Sequence, residues 1–167
     1  MGSTRKGNST PSFTEILLSL PFVSENIACT LIGVIGDIER FNTYKEFKKY
    51  LGVSAENTQS GTSVKGTKQT NSGVRDARRI LYQISLIILA NGRTHPTVFK
   101  AYYDRKVEEG MSKKNAIGHL CGKLANLIYS LLKNNTQYDP VIHAAASGIT
   151  LDDLNKSKEE KVPSLLN

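Results

Sequence analysis

Apolar residues recur three and four positions apart in six segments of this chain, and no segment alternates by two. That spacing lines up one face of a helix, so it restricts the chain to helices packed on helices. Ile16, Leu17 and Leu20 make a short first face that ends at Pro21. Ile27, Leu31, Val34, Ile35 and Ile38 make a second, with Ser24 as its N-cap and Gly33 and Gly36 weakening its end. Tyr44, Phe47 and Leu51 line a third until Gly52 stops it. Ser12 with Glu15, and Thr43 with Glu46, stand at capping-box spacing ahead of the first and third. In the fourth, Ala77, Ile80, Leu81, Ile84, Ile87 and Ile88 carry the period while Leu86 and Leu89 make the other face apolar too. This helix is expected at the centre, covered on most sides. Pro96 is expected in the first turn of a fifth helix, lined by Phe99, Tyr102, Tyr103 and Val107 as far as Gly110. Ser112 caps the last and longest, whose stripe is Ala116, Ile117, Leu120, Leu124, Leu127, Ile128 and Leu131. The expected class is all-α, a compact bundle of about six helices.

The third and fourth helices are joined by a stretch unlike either. Val53 to Ser72 has almost no apolar side chains and several Gly, Ser, Thr and Asn. Connections longer than about 12–15 residues are uncommon inside compact domains and usually carry function or act as linkers. This one supplies Lys65 and Lys68 and leads into Arg75, Arg78 and Arg79, five cations against the single acid Asp76. With a formal net charge of +7 over 167 residues, the chain favours anionic partners, nucleic acid foremost. Arg75, Arg78 and Arg79 span little more than one helical turn, so two can point together, and guanidinium forks suit phosphate geometry. The competing reading of the same cluster is an ordinary solvated helix face.

Other chemistries find little support. Cys29 and Cys121 both fall among apolar neighbours and are expected to be small buried thiols, without metal or disulfide spacing. His95, His119 and His143 are too scattered for a metal and are expected at helix ends or on the surface. Tyr102 and Tyr103 are expected in core and rim rather than stacking on bases, and Gly118 with Gly122 allows close helix packing. The best membrane candidate, Ile80 to Ala90, is about half the roughly 20 residues needed to span a bilayer. The polar N-terminus through Ser12 shows no signal peptide, so a cytoplasmic chain with no membrane partner is expected.

The first helical pair, Leu17 to Phe41, first suggests a helix-hairpin-helix, a unit whose turn offers backbone N–H groups to one phosphate; the alternative is a packing element. Such a turn needs Gly after its Pro so that φ can become positive, and here it is Pro21-Phe22-Val23-Ser24. From about Leu17 to Pro140 the chain resembles the C-terminal transposase domain of the bacterial insertion-sequence 110 type recombinases. The blocks that carry the resemblance are LLSLPFVSENIACTLIGVIGDIERF, YLGVSAENTQSG, GVRDARRILYQ and HPTVFKAYYDRKVEEGMSKKNAIGHLCGKLANLIYSLLKNNTQYDP, in that order. The resemblance implies a serine nucleophile in the polar loop, which by position is Ser60, with Gly61 giving the turn that exposes it; Ser63 is its nearest competitor. It implies that Lys65, Lys68, Arg75, Arg78 and Arg79 meet DNA. It further implies a RuvC-like nuclease domain whose four carboxylates bind divalent metal, magnesium being the expected ion, together with a homo-oligomer and a guide-like RNA. No such carboxylate set is found in this sequence: Asp37 and Glu39 sit in a structural block, and Asp152-Asp153 in the tail. The RuvC-like half is therefore expected to be absent from this chain, which alone is expected to cut no DNA. Where the family shows Ser-Lys-x-Gly-Asn before the fourth helix, this chain has Thr70-Asn71-Ser72-Gly73-Val74. The expected organisation is a disordered lead-in (1–11), a helical DNA-binding domain (12–140) and a flexible tail (141–167). The alternative is a non-catalytic, degenerate DNA-binding or protein-interaction module of the same fold.

Overall fold

A computed structural model describes residues 10–53, 74–92 and 94–149. Among them the chain is all-helical: α1 (Phe13–Leu18), α2 (Glu25–Ile35), a 3-10 turn (Ile38–Arg40), α3 (Tyr44–Tyr50), α4 (Arg75–Asn91), α5 (Val98–Glu108), α6 (Lys113–Asn134) and α7 (Pro140–Ala146). The starts follow local chemistry. Ser12 and Glu15 form a reciprocal capping box on α1, and Ser24 and Ser112 accept first-turn N–H groups of α2 and α6. Thr43 accepts the Glu46 N–H, but the Glu46 carboxylate reaches back to the N–H of Asn42, one residue further out than a capping box requires. Thr97, not Pro96, opens α5: its hydroxyl accepts the Lys100 N–H, which leaves the proline just outside the helix.

The central helix is α6 rather than α4. It touches α1, α3, α4, α5 and the 3-10 turn. Its apolar stripe makes one face; Cys121, Gly122 and Ala125, small and buried, make a second against which neighbours close. Gly122 lies under the end of the Lys48 side chain, whereas Gly118 faces open space and brings no helix near. On α4, Ala77, Ile80, Leu81, Ile84 and Ile88 are buried, yet Tyr82 and Leu86 are 45% and 44% exposed. One face of α4 is therefore open, against the expectation of a helix covered on most sides. Gly92 at its end is required by close approach, since a Cβ there would lie 2.6 Å from Lys100 Cγ.

Aromatic side chains fix the small elements on this core. Phe41 meets Phe47 edge to face with centroids 5.2 Å apart, and Phe47 lies 5.5 Å from Tyr129. Tyr50 donates its hydroxyl to the Val34 carbonyl at 2.8 Å and Tyr129 donates to Phe41 at 3.2 Å, which ties α3 and α6 back to the α2 region. The Asp37–Glu39 block is structural. Asp37 accepts the Glu39 N–H at 2.9 Å, and the Glu39 carboxylate accepts from Lys133 at 2.8 Å, a hydrogen bond that holds that ammonium above its ordinary pKa.

The hairpin turn adopts positive φ without glycine: Phe22 stands at +63°. The left-handed backbone costs an L-residue about 1–2 kcal/mol, and here the Phe22 ring packs on the core in return. Two further expectations are corrected. The expected tail begins inside the fold: Asp139 caps α7, Pro140 takes its first position, and Ala144 and Ile149 are buried with Val98 of α5. Cys29 is exposed on the outer face of α2, so only Cys121 is a buried thiol. His143 falls in the last turn of α7, a helix end as expected, half-buried with its ring 4.8 Å from that of Phe99.

Candidate nucleic-acid interface

The N-terminus of α4 is where the long polar stretch rejoins the fold. The chain leaves at Val53, whose N–H bonds the Lys48 carbonyl at 3.1 Å, and returns at Val74, whose N–H bonds the Tyr50 carbonyl at 2.8 Å. Both ends are thus fastened to the last turn of α3, Val53 is buried, and Val74 packs against the core. The departure follows from Gly52, which takes φ +68° and lets the chain reverse after α3. The return follows from Val74, an apolar residue that seats the start of α4 but offers it no side-chain cap.

The first turn of α4 consequently presents N–H groups that no side chain among the described residues caps, at the positive end of a seventeen-residue helix. Arg75 and Arg79 are exposed and Arg78 is half-buried. Arg75 and Arg79, four residues apart, share one side, and Arg78 lies three residues from Arg75 on its flank. Among the described residues the one carboxylate near them is Asp76, 3.8 Å from Arg79, with both side chains largely in solvent. This corner can accept an anion from two directions at once, by guanidinium forks and by the helix end.

The expected site residues divide at this boundary. Arg75, Arg78 and Arg79 are brought together on one helical turn. Ser60, Gly61, Ser63, Lys65 and Lys68 lie outside the described residues. Two residues not expected at the site extend the arginine side: Tyr82 and Leu86 fall seven and eleven positions beyond Arg75, both exposed, continuing the Arg75–Arg79 stripe along α4. Their signal is in the sequence as the same 4-3-4 spacing, hidden because an apolar Leu86 reads as part of a covered face.

Among the described residues no three His, Cys, Asp or Glu side chains gather as metal ligands. Of the carboxylates there, Glu39 pairs with Lys133 and Asp104 with Lys100. No helix among them is long and apolar enough to cross a membrane.

Comparison with known sequences gives a concordant result. The profile of a family described as Transposase IS116/IS110/IS902 matches residues 14–104. The chain is 29% identical over 142 residues to a pilin gene-inverting protein of Moraxella lacunata, and 28% identical over 142 residues to that of Moraxella bovis. It is 27% identical over 134 residues to an uncharacterized 42 kDa protein of the insertion element IS900 from Mycobacterium paratuberculosis. These matches take in 80–81% of this chain but only 42%, 42% and 33% of the relatives, so the chain spans less than half the length of each.

Proposed function

Because the chain belongs to the IS116/IS110/IS902 transposase family, we propose that it is the helical DNA-handling part of a recombinase, and that its polar excursion carries the nucleophile. The observation that carries this reading is the fastening of Val53 and Val74 to one turn of α3 beside the arginines of α4. Residues 54–73 must begin and end next to an anion-accepting corner, so a phosphodiester held there lies within reach of that excursion. Ser60 is the proposed nucleophile. Its oxygen bonds to phosphorus, its proton passes to a base, and the displaced sugar oxygen leaves with a proton. Arg75, Arg78 and Arg79, with Lys65 and Lys68, hold the neighbouring phosphates.

The rest of the recombinase is part of the same proposal. A RuvC-like domain holding magnesium would activate the attacking and leaving oxygens, within a homo-oligomer that carries a guide-like RNA. DNA inversion, the reaction for which the Moraxella relatives are named, is a fitting outcome for such strand exchange.

Two measurements test the reading. Ser60→Ala, in a recombinase containing this chain and its RuvC-like domain, should abolish strand exchange while leaving DNA binding intact; unchanged recombination removes the serine from the mechanism. For the purified chain, replacing Arg75, Arg78 and Arg79 by Ala should flatten the salt dependence of DNA binding, the log–log slope falling by about one for each phosphate no longer neutralised. An affinity indifferent to salt would overturn the nucleic-acid reading altogether. If Ser60→Ala is silent but the arginines matter, the chain is a binding module, which the open Arg75–Leu86 stripe would still serve.

A further inference from the structure

A second cluster of cations gathers around Tyr102 of α5, beside α6 and α7. Arg105 and Lys106 of α5 and Lys123 of α6 surround the Tyr102 ring, at 5.7, 5.9 and 5.2 Å from its centroid. Lys106 is neutralised by Glu109. Arg105 and Lys123 have no carboxylate within ion-pair distance among the described residues. Between them and α7 is a cleft of about 130 Å³, whose wall also includes His143 and Ser147 and contains no acid.

His143 borders the same cleft and is held by its neighbours. Its Nδ1 lies 3.1 Å from the Tyr138 hydroxyl. That phenol has its pKa pushed up to about 12 by burial, so it keeps its proton, and a phenol donates more readily than it accepts. With Tyr138 as the donor, the neutral imidazole carries its hydrogen on Nε2, where it can donate to a ligand. The ring cannot swing away, because Phe99 and Tyr138 pack it at 4.8 and 5.6 Å between centroids. Tyr138 is itself anchored through its N–H, which donates to Ser19 at the end of α1.

We propose that this cleft binds one tetrahedral oxyanion, a phosphate group, through Arg105, Lys123, the His143 Nε2–H and the Ser147 hydroxyl. The polar groups on its wall are donors, two of them permanently charged, and its size suits a single phosphate rather than a nucleoside. The source is a nucleic-acid backbone or a small phosphorylated molecule. The site is independent of the α4 corner, and its chemistry does not require Ser60 to act.

The test uses the whole chain and inorganic phosphate, followed by NMR of backbone amides and the His143 ring. Phosphate should shift Tyr102, His143 and Ser147 together. Lys123→Gln, on an exposed position of α6, should weaken phosphate binding about tenfold, and with Arg105→Gln added binding should vanish. Replacing Arg75, Arg78 and Arg79 by Ala should leave these shifts in place, so failure of the α4 reading and failure of this one are told apart. If Lys123→Gln also lowers the salt slope of binding to a DNA duplex by about one, the source is nucleic acid. If the slope is unchanged while phosphate binding is lost, the site takes a small phosphorylated ligand. Phosphate that shifts no residue of the cleft, or shifts it equally in the double variant, overturns the proposal.

Discussion

The two cysteines show how one residue type acquires two chemistries from its place on a helix. Cys29 sits on the solvent side of α2, while Cys121 is buried in α6 with its sulfur 3.4 Å from the Ser85 hydroxyl. Burial pushes the Cys121 thiol up in pKa, so it is both unreachable and undeprotonated. A thiol reagent such as Ellman's should therefore titrate one cysteine in the native protein and the second only on unfolding. Immediate reaction of both would contradict the packing around α6. The sequence could not separate them, because each lies in an apolar run and the run does not tell which side of its helix finds a partner. Phe22 is hidden for a related reason: positive φ ordinarily calls for glycine, and a ring that packs on the core offsets the steric cost instead.

For whole elements, α7 is the informative case. Apolar period fails after Pro140, since Val141 and Ile142 are exposed and the helix buries only Ala144. The legible signal is instead the cap: Asp139 followed by Pro140 is a helix start written in two residues. The capping residues of α1, α2, α3 and α6 are readable from sequence on the same grounds. Which helix becomes central is not, because small residues at Cys121, Gly122 and Ala125 carry no apolar stripe yet admit neighbours. The attachment of α7 also predicts a response to acid. Burial, with the nearby Lys123 charge, holds His143 below its ordinary pKa. A lowered folded value means stability fully present above the unfolded value of about 6.5 and lost as pH falls through the folded one. Thermal melts followed by circular dichroism should thus show a lower midpoint at mildly acidic than at neutral pH. His143→Gln should shrink that difference, and a variant as acid-sensitive as the parent would place the titrating group elsewhere.

At the scale of the whole molecule, the fold is closed on both sides of residues 54–73 by two backbone hydrogen bonds to α3. Loop-closure entropy changes by only about 0.6 kcal/mol for each doubling of length, so the bundle has little stake in how long that stretch is. Replacing residues 54–73 by a short Gly-Ser linker should keep cooperative unfolding with a midpoint within a few degrees of the parent, measured by calorimetry. Loss of the transition would mean that the bundle needs those residues to fold. The bonds at Val53 and Val74 are a sewn hem: the bundle itself sets where its fabric parts and where it closes again, both on one turn of α3.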